Sequence, residues 1–321
     1  MSGIPTIDLS DALHNGTPTA RLSKGQEIDQ ICQQVGFFAI RGHGVDLELI
    51  KTLRKRSYEF FNLPLVQKMQ IAPRNNEPRG YRGLGFEALS AGNDLATPPD
   101  VKEYFHFGRE TWPEDTYFTS AEGCQYFIPN KWPEQVCGWR EVASEYYEAM
   151  EGLTRQLMQL SALGLGLPEM FFEDKIDKHI TAMRINHYPA QERAPKAGQL
   201  RAGAHTDYGL LTILNGEDKP GGLEVLDRKG HWVSVQTDPA CFVINIGDLL
   251  MRWTNDRWVS NTHRVVNPPS HNATQARLSI AFFHHPNYDA VIEAIDRNGP
   301  GKYPPVRSGD YRTQKYQQTR V

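Results

Sequence analysis

The sequence contains no run near the roughly 18 consecutive apolar residues that a membrane helix needs. Its start, MSGIPTIDLS, lacks the basic stretch and apolar block of a cleaved secretory signal. Neither sign of charge dominates, with 35 Lys and Arg against 38 Asp and Glu. Nothing therefore pulls the chain toward nucleic acid or anionic lipid. Cysteine is scarce: Cys32, Cys124, Cys137 and Cys241 lie far apart with no CxxC pair. That argues against a disulfide framework and fits reduced thiols in a cytoplasmic protein. What is present, 39% apolar and 23% charged residues over 321 positions, is the composition of a globular chain able to bury a large core.

Periodicity divides the chain in two. Ile4 to Leu9 reads as a strand, and Ile28, Ile31, Cys32 and Val35, spaced by three and four, predict a helix ended by Gly36. Phe37 to Ile40 reads as a second strand. A helix is predicted over Leu47 to Phe61, stopping before Pro64. Residues 73–100, dense in Gly, Pro and Asn, read as an irregular surface loop, and Gly80, Gly83 and Gly85 there lack the strand–helix setting of a dinucleotide fingerprint. A long helix, residues 139–163, carries Val142, Tyr146, Met150, Leu153 and Leu157 on one face and stops at Gly164 and Gly166. From His179 the texture changes to short β-rich runs between turn clusters: ITAMRINHY, LLTIL, GLEVLD, WVSVQ, CFVINIG and RLSIAFF. This is the pattern of an all-β sandwich or barrel. The expectation is a helical N-terminal region, residues 1–120, on an antiparallel β core, residues 178–288, with helix 139–163 and the C-terminal tail packed against it.

The most informative segment is Ala204-His205-Thr206-Asp207. On a strand, residues i and i+2 share a face, so an imidazole and a carboxylate would point at one ion. Taken alone the pair has a plainer reading, a surface His beside a solvated Asp. His263, on another predicted strand edge, supplies a third donor. Two His and one carboxylate on one side of an octahedral ion leave three positions open, as in the facial triad of non-heme Fe(II) oxygenases. Downstream, Arg277, Ser279, Ala281 and Phe283 alternate along one strand face, and Arg277 offers a planar fork suited to a carboxylate.

These motifs resemble the Fe(II)- and 2-oxoglutarate-dependent dioxygenases of the isopenicillin N synthase-like superfamily. His-x-Asp, the distal His and Arg-x-Ser occur in the family's order. IPTIDLS, VGFFAIRGHGV, Gly80-Tyr81, Asp100 to Phe105, Arg184 to Pro189 and the block Asn245 to Pro268 extend the resemblance over nearly the whole chain. The resemblance implies a double-stranded β-helix (jelly-roll) core with iron at its open mouth. It implies His205, Asp207 and His263 as iron ligands, Arg277 and Ser279 on the distal carboxylate of 2-oxoglutarate, and Tyr188 with Asn186 beside the cosubstrate. His187 departs from the Tyr that many relatives carry there, and should face away from the side that Tyr188 faces. The implied reaction oxidises a small-molecule substrate with O2, by hydroxylation as the default, and releases succinate and CO2. Desaturation and ring closure are family variations.

Further expectations concern the cavity walls and the neighbours of the ligands. Phe283, Tyr104 and His106 are candidates for facing the substrate, with plain core packing as the rival for Tyr104. Asp248 and Arg264, beside the metal block, are candidates to orient the ligands, with a turn Asp and a surface Arg as the equal alternative. His43, His284 and His285 read as turn or core residues. Asn15-Gly16-Thr17 and Asn272-Ala273-Thr274 match glycosylation acceptors that a cytoplasmic chain would leave unused. Two other functions stay open here: an iron oxidase that needs no 2-oxoglutarate, and a non-catalytic jelly-roll protein holding a ligand or structural zinc. The motifs specify neither the primary substrate nor an oligomeric state.

Overall fold

The computed structural model describes residues 3–13, 16–74, 77–90, 98–191, 195–295 and 301–318. Its first part alternates β1 (Thr6–Asp8), α1 (Pro18–Gln34), β2 (Phe37–Arg41), α2 (Leu47–Phe61), α3 (Leu65–Lys68), β3 (Gly80–Arg82), β4 (Glu103–Gly108) and α4 (Thr116–Thr119). The long α5 (Trp139–Gly164) and short α6 (Glu173–Ile176) lead into β5 (Ala182–Tyr188), β6 (Ala202–His205), β7 (Leu211–Gly216), β8 (Leu223–Leu226), β9 (Trp232–Ser234) and β10 (Phe242–Ile246). Then come α7 (Asp248–Trp253), β11 (His263–Val265), β12 (Arg277–His284), β13 (Val291–Ile292), β14 (Val306–Arg307) and α8 (Ser308–Gln318). No helix among the described residues is long and apolar enough to cross a membrane.

An eight-stranded sheet, in the order β1-β2-β10-β7-β12-β5-β4-β3, and a four-stranded sheet, β6-β11-β8-β9, make the jelly-roll core. Only β1 and β2 pair in parallel among the described strands. Alternation along the strands sets the two faces of the large sheet. Phe105 and Phe107 of β4, Met183 and Ile185 of β5, and Leu278, Ile280 and Phe282 of β12 belong to the main apolar core, together with Trp139, Tyr146, Met150, Leu153 and Leu157 of α5. The intervening residues of β5 and β12 line a cavity on the opposite face, and Tyr104 and His106 of β4 line an adjoining one.

The helices begin and end where local chemistry dictates. Asp46 caps α2 by accepting a hydrogen bond from the Glu48 amide, and Thr17 caps α1, which opens on Pro18. Gly36 sits at φ +68° directly after α1, and a Cβ there would lie 1.9 Å from the Val259 carbonyl oxygen, so only glycine fits this turn.

One expectation about the elements needs correction. Residues 73–100 are not wholly irregular: β3 extends the sheet by pairing Gly80, Tyr81 and Arg82 with His106, Phe105 and Tyr104. The segment after Asn287 forms β13, β14 and α8. Of the two glycosylation patterns, Asn15 lies outside the described residues, while Asn272 ends a short turn of 3-10 helix.

Candidate active site

β6 ends at His205, directly opposite His263 of β11. The strand does not continue to Asp207, contrary to the simple alternation argument. Asp207 lies in the turn beyond, where its backbone carbonyl accepts from the Asp248 amide at 2.7 Å. That turn swings the carboxylate back toward the two imidazoles. The candidate ligand atoms of His205, Asp207 and His263 all lie within 4.8 Å of one another. His205 Nε2 is 3.9 Å from Asp207 Oδ1, and His263 Nε2 is 3.7 Å from Oδ2.

Neighbouring groups set the orientation of each donor. The Nδ1 of His205 lies 2.7 Å from the Gly203 carbonyl, and that of His263 lies 3.2 Å from the Asn261 carbonyl. A proton on each Nδ1 leaves both Nε2 lone pairs facing the centre. Asn245 Nδ2 donates to Asp207 Oδ2 at 2.8 Å, and the Thr212 hydroxyl also bonds this carboxylate. Burial, together with the adjacent His263, lowers the His205 pKa to about 3. Burial alone would raise that of Asp207, but His263 and His205 outweigh it and hold the carboxyl below its ordinary value. Two imidazole nitrogens and one carboxylate oxygen, converging in this way, are a donor set for a divalent first-row metal.

Asp248 ties this region together. It accepts from Thr206 Oγ1 at 3.2 Å, Ser260 Oγ at 2.7 Å and Tyr311 at 3.3 Å, and it pairs with Lys315 at 3.0 Å. Arg264 does not point to the site: it pairs with Glu224 and lies 4.0 Å over the Trp232 ring. His43 spans a turn, its ring nitrogens engaging Val45 N and Ala240 O, and His284 bonds Thr181. His285 reaches the cavity wall but stands outside the triad.

The second part of the site comes from β5 and β12, paired so that Arg277 faces Tyr188 and Ser279 faces Asn186. Asn186 Nδ2 and the Tyr188 hydroxyl each lie 3.4 Å from Ser279 Oγ. Arg277 is 1% exposed, yet its Nε and Nη2 have no hydrogen-bond partner among the described residues. Gly216 gives it room, since a Cβ there would come within 3.0 Å of Nη2. A buried guanidinium with two unmet donors, on the cavity face that carries the triad, matches one end of a dicarboxylate. His187 faces the other way, bonding Glu103 at 2.7 Å and stacking on Phe61.

Beyond the triad the wall is polar and charged. Phe283 lines the same cavity as Arg277. Tyr104 and His106 line an adjoining outer cavity, with Tyr104 donating to Glu87 at 2.8 Å. Sequence reasoning missed Asn245, Thr212, Asp100, Glu87, Lys102 and Arg184. Asp100 accepts from the Gly203 amide at 2.9 Å and so steadies β6 beside His205. Asn245, Asp100, Lys102 and Arg184 stood inside motifs already quoted, which was the only available signal.

Comparison with known proteins agrees with this geometry. The family model for the 2OG-Fe(II) oxygenase superfamily matches residues 180–286, and that for the N-terminal region of the non-haem dioxygenase in morphine synthesis matches residues 4–135. A 2-oxoglutarate-Fe(II) type oxidoreductase of Emericella nidulans is 34% identical, over 98% of this chain and 90% of its own. A homoarginine-6-hydroxylase of Arabidopsis thaliana is 34% identical, over 88% of this chain and 82% of its own. A full-length Neurospora crassa protein solved in complex with alpha-KG superposes with a TM-score of 0.85 at 31% identity, covering 98% of this chain and 96% of that one. Likeness of this extent, to proteins that share both the fold and the cosubstrate, makes the chain a member of the 2OG-Fe(II) oxygenase superfamily, a 2-oxoglutarate-dependent non-heme iron dioxygenase.

Proposed function

We propose that His205, Asp207 and His263 hold the Fe(II), and that Arg277 and Ser279, with Tyr188 and Asn186 beside them, take the distal carboxylate of 2-oxoglutarate. The substrate is a small molecule entering past Phe283, with Tyr104 and His106 on the outer wall, and its default fate is hydroxylation. Bound iron supplies the oxidising chemistry with O2, while 2-oxoglutarate leaves as succinate and CO2. The chain's own residues bind, orient and exclude water. Ala202, Leu214, Leu223 and Val265 give the inner cavity an apolar lining that keeps bulk solvent from the reacting groups. Asn245 and Thr212 hold the Asp207 carboxylate so that it does not rotate away.

The observation that carries this reading is the pair of unpartnered Arg277 nitrogens on the wall shared with the triad. It also favours the cosubstrate-dependent reading over an oxidase that dispenses with 2-oxoglutarate. A small-molecule substrate is supported by the Neurospora crassa relative, which is also solved with alpha-KG and thymine together. The test is oxygen uptake and succinate formation by the Fe(II)-loaded protein, with and without 2-oxoglutarate. Turnover that needs 2-oxoglutarate and disappears in Asp207→Ala is expected. Oxygen uptake that is indifferent to 2-oxoglutarate would replace this reading with the oxidase.

A further inference from the structure

Beyond the groups that iron and cosubstrate would use, the cavity walls carry further charge. Four cations are buried in or behind these walls, Arg79, Lys102, Arg184 and Arg312, with two buried carboxylates, Glu87 and Asp100. The carboxylates serve only two of the cations. Lys102 Nζ lies 3.3 Å from Glu87 and 3.2 Å from Asp100, and Arg184 Nη1 donates to Glu87 at 2.9 Å. Among the described residues Arg79 donates only to the Tyr126 carbonyl, at 3.2 Å. Arg312, on α8, meets only the rings of Tyr126 and Tyr316 among the described residues. The Nε atoms of Arg79, Arg184 and Arg312, and Nε2 of His106, are buried without a hydrogen-bond partner among the described residues.

Several of these groups border available space, though Arg79 and Asp100 line neither cavity. Glu87, Arg184 and Tyr316 form the wall shared by the inner and outer cavities, and Arg312 lines the outer one. The inner cavity offers about 100 Å³ and the outer about 460 Å³, so room for a substrate's bulk lies on the arginine side. A buried guanidinium without a carboxylate is unfavourable, and an arriving anion removes that penalty while the planar N–H edges fix its orientation.

We propose that the substrate is a small organic acid, its carboxylate held by Arg312 and the free edge of Arg184, its oxidised carbon directed past Phe283 to the triad. The position of the oxidised carbon rests on the oxygenase reading above, whereas the anion site needs neither iron nor 2-oxoglutarate. Matched acids and primary amides serve as probes: benzoate with benzamide, hexanoate with hexanamide, and 3-phenylpropionate with its amide. Each is titrated into metal-free protein and into protein loaded anaerobically with Fe(II) and saturating 2-oxoglutarate, followed by tryptophan fluorescence and unfolding temperature. The acids are expected to bind at least about ten-fold more tightly than the amides in both states. Arg312→Gln is expected to abolish that preference and Arg312→Lys to retain part of it. Equal affinity of acids and amides overturns the proposal, as does a preference that survives Arg312→Gln, or binding by none of the acids. An acid preference in metal-free protein that fails to bind 2-oxoglutarate when given Fe(II) supports the anion site and tells against the oxygenase reading alone.

Discussion

The two faces of the eight-stranded sheet are built from the same strands and behave as opposites. On the helix side, Phe105 packs in a tilted pair 4.6 Å from Trp139, Trp139 stacks at 4.7 Å on Phe60, and Phe282 lies 5.2 Å from Tyr147. On the cavity side the neighbours of these residues are Tyr104, Arg184, Asn186, Arg277 and Ser279, several with donors left unmet. One face is dominated by redundant apolar contact, with His187, Glu103 and Lys68 as its polar exception; the other is left incomplete for a ligand to finish. The comparison teaches that the aromatic layer supplies the stability that lets the polar layer stay unsatisfied.

Substitutions should therefore split cleanly between the faces. The largest effect is expected for His263→Ala, which removes a proposed ligand: iron-dependent succinate formation should fall to background, without a fall in the unfolding midpoint of the metal-free protein. On the helix side, Trp139→Ala should cost about 3–5 kcal/mol of stability, read by denaturant unfolding, with the affinity for 2-oxoglutarate near that of the parent while the protein stays folded. Arg277→Gln should weaken 2-oxoglutarate binding by about a hundred-fold, equivalent to roughly 2.7 kcal/mol, with iron stoichiometry unchanged. If Arg277→Gln instead destabilises the fold as much as Trp139→Ala, the division between the faces is wrong.

The smallest effect is on pH. Burial lowers the pKa of His106, His284 and His285 well below the ordinary 6.5, helped at His106 by Arg79 and at His284 by His179. The unfolded chain then binds more protons than the folded one as pH falls below 6.5. Stability should be full above that value and decline below it, by about 1.4 kcal/mol per pH unit for each histidine. The unfolding midpoint, followed from neutral pH down to about 5, checks the sign.

What was legible in the sequence follows the same division. α2 runs from Leu47 to Phe61 as its periodicity, the Asp46 cap and the following Pro64 require. α5 exceeds its expected span only by Gly164. Elements whose burial is apolar announce themselves. β6 and β11 are too short to alternate visibly, and the turn that returns Asp207 to His205 is set by its bond to Asp248. α8 buries Ser308, Gly309 and Arg312, which carry no hydrophobic period. Glu87, Asp100 and Lys102 resemble a solvated loop in one dimension, because only their tertiary pairing keeps them inside.

Asp248 has a consequence for how such an enzyme changes partners. Its carboxylate grips α8 through Tyr311 and Lys315 and the turn carrying Asp207 through Thr206. One acidic group thus joins α8 to the turn that carries Asp207, while Arg312 of the same helix lines the outer cavity. Selectivity and reactivity are consequently separable inheritances: exchanging residues 301–318 while keeping Tyr311 and Lys315 would graft a new appetite onto an untouched engine.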